Sequence, residues 1–444
     1  MFLVPIVLEN EELPRYLRVY QYYKDLIMSG QLQAGIKLPS IRKASVQLQV
    51  SRTTMESAYM LLAAEGYIIS KPQSGYYVTD IGSKENQYEQ QPQLSKGPEK
   101  QEVLYDFVTS NVDRDSFKFE LWRRYMKSAL RQDERLLSYG EPQGEWDFRE
   151  VLCGYLQKER SVVCTPEQIV IGAGVQSLLN ILCPLLKGRK NILFHNPDFT
   201  QGRAIFEDYN FEIAAEQDEI DGGIYYISPS QLTKWGGVLN ITERRKLLKE
   251  AQKQDFLIIE DDYNSEFRYF QKPTPALQGL AGGQGVIYLG TFSKMLLPSI
   301  RMSFMVLPLE LLEAYEARRG MYNQTASKAE QIAITQFIRD GHLNSQIRKS
   351  RKIHLAKAME LAETVGKVLG PKGKPRIGET GFHVYVTLDT DLSGETIARR
   401  AKEKGLLILP EKESEEGRPT IMLNNANVAV EDYEAAMVLL KGCL

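Results

Sequence analysis

Cysteine, histidine and tryptophan are scarce in this chain: four, four and three among 444 residues. Cys153, Cys164, Cys183 and Cys443 show no short paired spacing, and His195, His342, His354 and His383 are equally scattered. A disulfide framework and a zinc-type cluster are thereby excluded as organising principles, and the expectation is reduced thiols and no metal site. Net charge is also nearly absent, with 55 Lys and Arg against 57 Asp and Glu. That excludes a globally basic, coat-like nucleic-acid binder, but a small basic patch on one domain can hide inside such an average. No run approaches the ~18–20 apolar residues of a membrane span, and the apolar start MFLVPIVL is brief and lacks a basic leader. The expected protein is soluble and cytoplasmic. What is abundant is ordinary: a 43% hydrophobic content supports sizeable cores and argues against wholesale disorder. At ~100–200 residues per domain, the length allows two to four domains.

Three regions differ in kind. Residues 11–80 read as one compact unit. Residues 81–104, IGSKENQYEQQPQLSKGPEKQEVL, are rich in Gln, Glu, Lys, Pro, Gly and Ser and read as a flexible tether. From Tyr105 to Leu444, short apolar runs (QIVIGAG, NILFHNP, FLIIEDDY, GVIYLGT) alternate with helical patterns such as ITERRKLLKEAQKQ. That alternation, with Gly or Asp at strand ends, predicts an open α/β sheet with crossover helices. A large lobe is expected over about 150–310. A smaller lobe is expected from about 311 to 444, with part of 105–150.

In the first unit, Leu17, Tyr20, Leu26 and Ile27 mark a helical face that Gly30 ends. LPSIRKASVQLQ follows, with Pro39 suited to a first helical turn. After the short turn QVS, Ser51 is a natural N-cap for RTTMESAYMLLAAEG, where Ala58, Leu61 and Leu62 form an apolar stripe. Helix, tight turn, helix is the helix-turn-helix arrangement, whose second helix offers its first residues, here Arg52, Thr53 and Thr54, to a DNA major groove. YIISKPQSGYYVTD then reads as a two-stranded wing, with Gly75 allowing close backbone approach to a groove. Small helical units of this kind also serve as dimerisation modules. Eight basic against six acidic residues over 11–80 is a weak excess, so affinity for DNA would rest on a few placed contacts and on dimerisation.

In the second unit, Lys294 follows the strand GVIYLG among the hydroxyl residues Thr291 and Ser293. Thirty-three residues earlier, FLIIEDDY ends in Asp261, Asp262 and Tyr263. Pyridoxal phosphate (PLP) needs such a set: a lysine for the Schiff base, a carboxylate for the pyridinium nitrogen, a Tyr hydroxyl for the phenolate oxygen. Arg301 can neutralise the phosphate, the turn and helix start at Gly174, Val175 and Gln176 can supply backbone donors, and Phe199 can stack on the ring. Each feature alone is weak. Glu260, Asp261 and Asp262 could equally bind a metal or cap a helix. Their order along the chain is what discriminates.

The stretches Gly30-Gln-Leu-Gln-Ala-Gly35, Leu38-Pro-Ser-Ile-Arg42, Val50-Ser-Arg-Thr-Thr54 and Ala64-Glu-Gly-Tyr67 closely resemble the winged helix-turn-helix of GntR-type regulators. The resemblance implies that Arg42, Ser51, Arg52, Thr53, Thr54 and Gly75 contact DNA. Residues 105–444 resemble fold-type I aminotransferases, and the whole chain resembles the fused MocR/GabR subgroup. DFVTSNVDRDSFKFELWRR, YGEPQGEWDFREVLCGYLQKERSVVCTPEQIVIGAG and IIEDDYNSEFRY carry that likeness. It implies PLP bound through Lys294, with Asp261, Tyr263 and Arg301 in the family's roles, and a homodimer. Two departures stand out. Ser228-Pro-Ser-Gln-Leu-Thr-Lys-Trp-Gly236 places Thr233 where the family's transaminases have an Asn to the phenolate oxygen. Met422, in Ile421-Met422-Leu423, stands where the subgroup usually has the arginine for a substrate α-carboxylate. Arg418 lies four residues away, too far along a strand to substitute. Loss of such a charge-assisted pair costs ~2–5 kcal/mol of binding.

The resulting expectation is a PLP-binding transcription factor without productive transamination. As a dimer it would bind two half-sites on double-stranded DNA and respond to a small amine or to PLP itself. The alternative is an active aminotransferase with an appended helix-turn-helix.

Overall fold

The computed structural model describes residues 13–80, 103–109, 111–230, 232, 237–263, 265–267, 274–378, 380–411 and 417–444. Residues 81–102 of the expected tether and Thr233 lie outside these described residues. The chain divides into two compact units, Met1–Lys100 and Gln101–Leu444.

The first unit holds helices α1 (Arg15–Met28), α2 (Ile41–Gln47) and α3 (Arg52–Ala64), then an antiparallel hairpin of β1 (Ile68–Lys71) and β2 (Gly75–Val78). Helix α1 buries Val19, Tyr20, Tyr23 and Ile27, so its apolar face runs beside the one expected: Leu17 and Leu26 are only half-buried. Pro39 precedes α2 rather than opening its first turn. Ser40 is the N-cap, accepting from the Lys43 amide at 3.3 Å. Ser51 caps α3 as expected, accepting from the Thr54 amide at 3.1 Å. Tyr59 is the fully buried hub. Its ring meets Tyr23 and Tyr76 edge-on at 5.5 and 5.1 Å, and its hydroxyl donates to the Pro39 carbonyl at 3.1 Å. That bond ties the Leu-Pro-Ser turn to the second helix of the motif.

The second unit is built on a seven-stranded sheet ordered 169–172, 303–306, 286–291, 257–261, 224–227, 191–194, 212–213. Ser303–Val306 is antiparallel to both neighbours and every other pairing is parallel. Helices cover both faces, so the strands read as continuous apolar runs. Alternation sends Val170, Ile259, Ile287 and Met305 to one core and Ile169, Ile171, Tyr288 and Phe304 to another. A second, antiparallel sheet of 373–377, 383–388, 420–424 and 409–410 packs with Phe107 and residues from Ala358 onward into a separate core.

The lobes meet along the 28-residue helix His342–Leu369. Its Leu343 and Ile347 sit in the large-lobe core, while Ala358, Leu361, Val365 and Leu369 sit in the small-lobe core. Helices Leu309–Arg319 and Lys328–Arg339, which the sequence pattern assigns to the smaller lobe, therefore pack elsewhere: Tyr315, Ile332 and Phe337 extend the large-lobe cores. No described helix is long and apolar enough to cross a membrane.

Candidate functional site

The carboxyl ends of the parallel strands, where open α/β sheets bind ligands, surround a cavity of about 450 Å³. All ten residues expected to hold a cofactor line it: Gly174, Val175, Gln176, Phe199, Asp261, Tyr263, Thr291, Ser293, Lys294 and Arg301.

Strand alternation sorts the three consecutive carboxylates. Asp261 lines the cavity. Glu260 is fully buried, pairs with Arg244 at 3.3 Å and accepts from the Leu277 and Gln278 amides at 2.9 and 3.0 Å, capping the short helix Leu277–Leu280. Asp262 is buried against Arg160 at 2.7 Å and accepts from Tyr288 and Ser230 at 2.6 and 2.7 Å. Burial raises Asp262, but Arg160 and these hydroxyls outweigh it and hold the carboxyl below its usual range. Of the two readings left open, helix capping applies to Glu260. Among the described residues no group of three or more potential ligands is arranged for a metal.

Asp261 accepts from the Tyr226 hydroxyl at 2.6 Å through Oδ2. Burial, aided by the neighbouring Asp262 charge and opposed by the Tyr226 bond, moves its carboxyl up to about 6. Lys294 has no ion pair or hydrogen bond among the described residues. Its Nζ stands 5.4 Å from the Tyr263 ring centroid and 5.2 Å from that of Phe382. Burial lowers the amine to about 8. Burial and the Asp261 charge both raise the Tyr263 phenol. Phe199 leans on Tyr226 with centroids 5.4 Å apart.

At the other end of the cavity, Gly174 caps the helix Val175–Leu182 with φ +96°, a conformation L side chains rarely adopt. A Cβ there would lie 2.6 Å from Nη2 of Arg301, so the guanidinium rests directly on the glycine backbone. Thr291 Oγ1 meets the Ser293 and Ser303 hydroxyls at 3.1 and 3.0 Å. The result is an anion cradle: backbone amides at a helix start, an arginine and a patch of hydroxyls.

This arrangement fits PLP. The cradle suits a dianionic phosphate, and Asp261 is a half-buried carboxyl whose Oδ1 has no hydrogen-bond partner among the described residues. Lys294 is an amine held partly neutral. Sequence reasoning missed Tyr226, Ser228, Ser303, Asn196 and Asp198, which also line the cavity. Tyr226 and Ser303 lie in strands buried on both faces, so no alternation of polar residues exposes them in the sequence. Met422 does not line this cavity, and Arg418 is committed to Asp389 at 3.1 Å.

In the first unit, Arg42, Arg52 and Thr53 are exposed at the starts of α2 and α3. Ser51 and Thr54 hold each other's hydroxyls at 2.7 Å, so both are partly consumed by the cap. Gly75, with φ +112°, opens β2 after the three-residue turn of the hairpin. Two basic residues were missed: Lys71 Nζ lies 4.7 Å and Lys37 Nζ 5.8 Å from the Tyr77 ring centroid, placing both beside the wing. Lys37 reaches it because it bridges antiparallel to Tyr77, a pairing distant in sequence.

Comparison with known proteins agrees with both halves. Residues 15–78 match the family described as "Bacterial regulatory proteins, gntR family". Residues 104–217 and 234–435 match "Aminotransferase class I and II". The HTH-type transcriptional regulator YdeL of Bacillus subtilis is 34% identical over 99% of both chains. The probable rhizopine catabolism regulatory protein MocR of Rhizobium meliloti is 26% identical over 91% of this chain and 88% of its own. Among solved structures, kynurenine aminotransferase of Pyrococcus horikoshii, in complex with PMP, superposes with a TM-score of 0.63 at 21% identity. The match covers 77% of this chain and 90% of that one, and shows a shared fold.

Proposed function

On the premise that the chain belongs to the gntR family of bacterial regulatory proteins, in the MocR-type subgroup with a fused class I and II aminotransferase domain, we propose that it is a cytoplasmic, PLP-responsive transcriptional regulator. The carrying observation is the convergence of all ten expected cofactor residues, drawn from five segments of sequence, on one cavity.

Bound PLP supplies a reactive aldehyde and an electron-withdrawing ring. Lys294, lowered to about 8, would present a partly neutral, nucleophilic amine near physiological pH. Asp261, oriented by Tyr226, would hold the proton on the ring nitrogen, and that contact would in turn keep the carboxyl ionised. Tyr263 would serve the phenolate oxygen and Phe199 the ring face. The amides from Gly174 to Gln176, Arg301, Thr291, Ser293 and Ser303 would hold the phosphate.

Arg52 and Thr53 would read base edges, with Arg42, Lys37, Lys71 and the Gly75 wing on phosphates. A homodimer through the aminotransferase-like unit would carry two such readers on tethers to two half-sites of one DNA. Occupancy of the cavity by PLP, or by PLP with an amine, would shift the dimer between arrangements of different DNA affinity. Productive transamination is not expected, since among the described residues the cavity lining offers no cation for an α-carboxylate beyond Lys294 and Arg301.

The purified protein reconstituted with PLP should show the visible band of the lysine-bound cofactor, and Lys294→Ala should lose that band. Equal spectra would overturn the assignment of Lys294. Steady amino-group transfer to a keto acid would instead favour an active aminotransferase.

A further inference from the structure

Lys294 and Ser293 are shared between the main cavity and a second hollow of about 20 Å³, whose other walls are Asn111, Val112, Phe382 and Asn424. Its volume is room for about one water-sized group. Among the described residues the two linings contain two cations, Lys294 itself and Arg301, and Arg301 is seated on Gly174 at the phosphate end. Beside Lys294 the second hollow is walled, among the described residues, by the Asn111 and Asn424 amides, the Ser293 hydroxyl and the apolar Val112 and Phe382.

The strand Thr420–Asn424 sets this wall. Ile421 and Leu423 point into the small-lobe core, which leaves Met422 and Asn424 on the opposite face. Asn424 is pinned there, its Oδ1 accepting from the Ala426 amide at 2.9 Å and its Nδ2 lying 3.4 Å from His383 Nε2. His383, behind it, adds no charge near neutral pH. Burial, with the Lys294 and His354 charges, depresses His383 to about 3, and burial lowers His354 although Asn425 and Asp113 oppose this. The Asn111 side chain, at the mouth, has no hydrogen bond among the described residues, so its amide is available to a ligand.

We propose that this half of the site takes a small primary amine whose other end is an uncharged hydrogen-bonding group, a hydroxyl or carboxamide, in preference to an amino acid. The proposal rests on the PLP reading above: it names the ligand that would meet the cofactor at Lys294.

The test uses the full-length chain loaded with PLP, its visible band recorded first. It is then titrated calorimetrically with L-alanine and with L-alaninol, whose amines are of similar basicity. L-alaninol should bind at least tenfold tighter, and Asn111→Ala should reduce that preference severalfold. Met422→Arg, which puts a guanidinium on the Asn424 face, should tighten L-alanine at least tenfold. Equal or tighter binding of L-alanine by the wild-type chain would overturn the proposal, as would no heat from L-alaninol while the visible band is present. Absence of the band itself would overturn the PLP reading and this inference with it.

Discussion

Replacing Lys294 with methionine should stabilise the cofactor-free chain at neutral pH. Burial moves the amine from its ordinary 10.5 to about 8. At ~1.4 kcal/mol per unit, and with some discount for its partial exposure, carrying the charge costs the folded state about 2–3 kcal/mol. Methionine keeps most of the volume and removes the charge. The sign follows from proton binding. Between pH 8 and 10.5 the unfolded chain holds more protons at this site than the folded one, so the wild-type protein gains stability as pH rises through that window. The penalty is therefore complete below pH 8 and gone above 10.5. Urea unfolding of both cofactor-free proteins at pH 7 and pH 10 reads this directly. The variant should be more stable by about 2–3 kcal/mol at pH 7, and the gap should shrink below about 1 kcal/mol at pH 10. A variant no more stable at pH 7, or a gap independent of pH, would refute the assignment of a desolvated lysine.

Arg52→Ala should weaken specific DNA binding by about 1–3 kcal/mol and relax sequence preference, whereas Lys71→Gln should weaken all sequences alike and lower the salt slope by about 1, both measurable by anisotropy titration. Gly174→Ala forces a Cβ to 2.6 Å from the Arg301 guanidinium at a φ of +96°, so PLP affinity should fall at least about tenfold by absorbance titration; unchanged affinity would remove the cradle from the account. Arg160→Leu strips Asp262 of its buried cation and should cost about 3–5 kcal/mol in denaturant unfolding, with a loss under about 1 kcal/mol contradicting the pairing.

Much of this site was legible because its residues sit where strands end. Asp261, Thr291 and Gly172 close three apolar runs, and a chain that folds into an open sheet must bring such ends to one edge. The α3 start was equally legible, since Ser51 is a cap by residue type. What stayed hidden depends on pairings remote in sequence. Tyr226 meets Asp261 across adjacent strands, Lys37 reaches the wing by bridging Tyr77, and the Cys153 and Cys164 sulfurs come within 3.6 Å although eleven residues separate them. The lobe boundary was misplaced for a related reason: the amphipathic helices between 309 and 339 do not declare which core they face. Only the long helix His342–Leu369, passing from one core to the other, marks the change.

The central claim is that the cavity around Lys294 governs the DNA-reading unit. Its most direct test is the affinity of the full-length protein for the DNA upstream of its own gene, measured with and without PLP for the wild-type chain and for Lys294→Ala. PLP should change the wild-type affinity severalfold and leave the variant's unchanged. The same affinity in all four measurements would contradict the account.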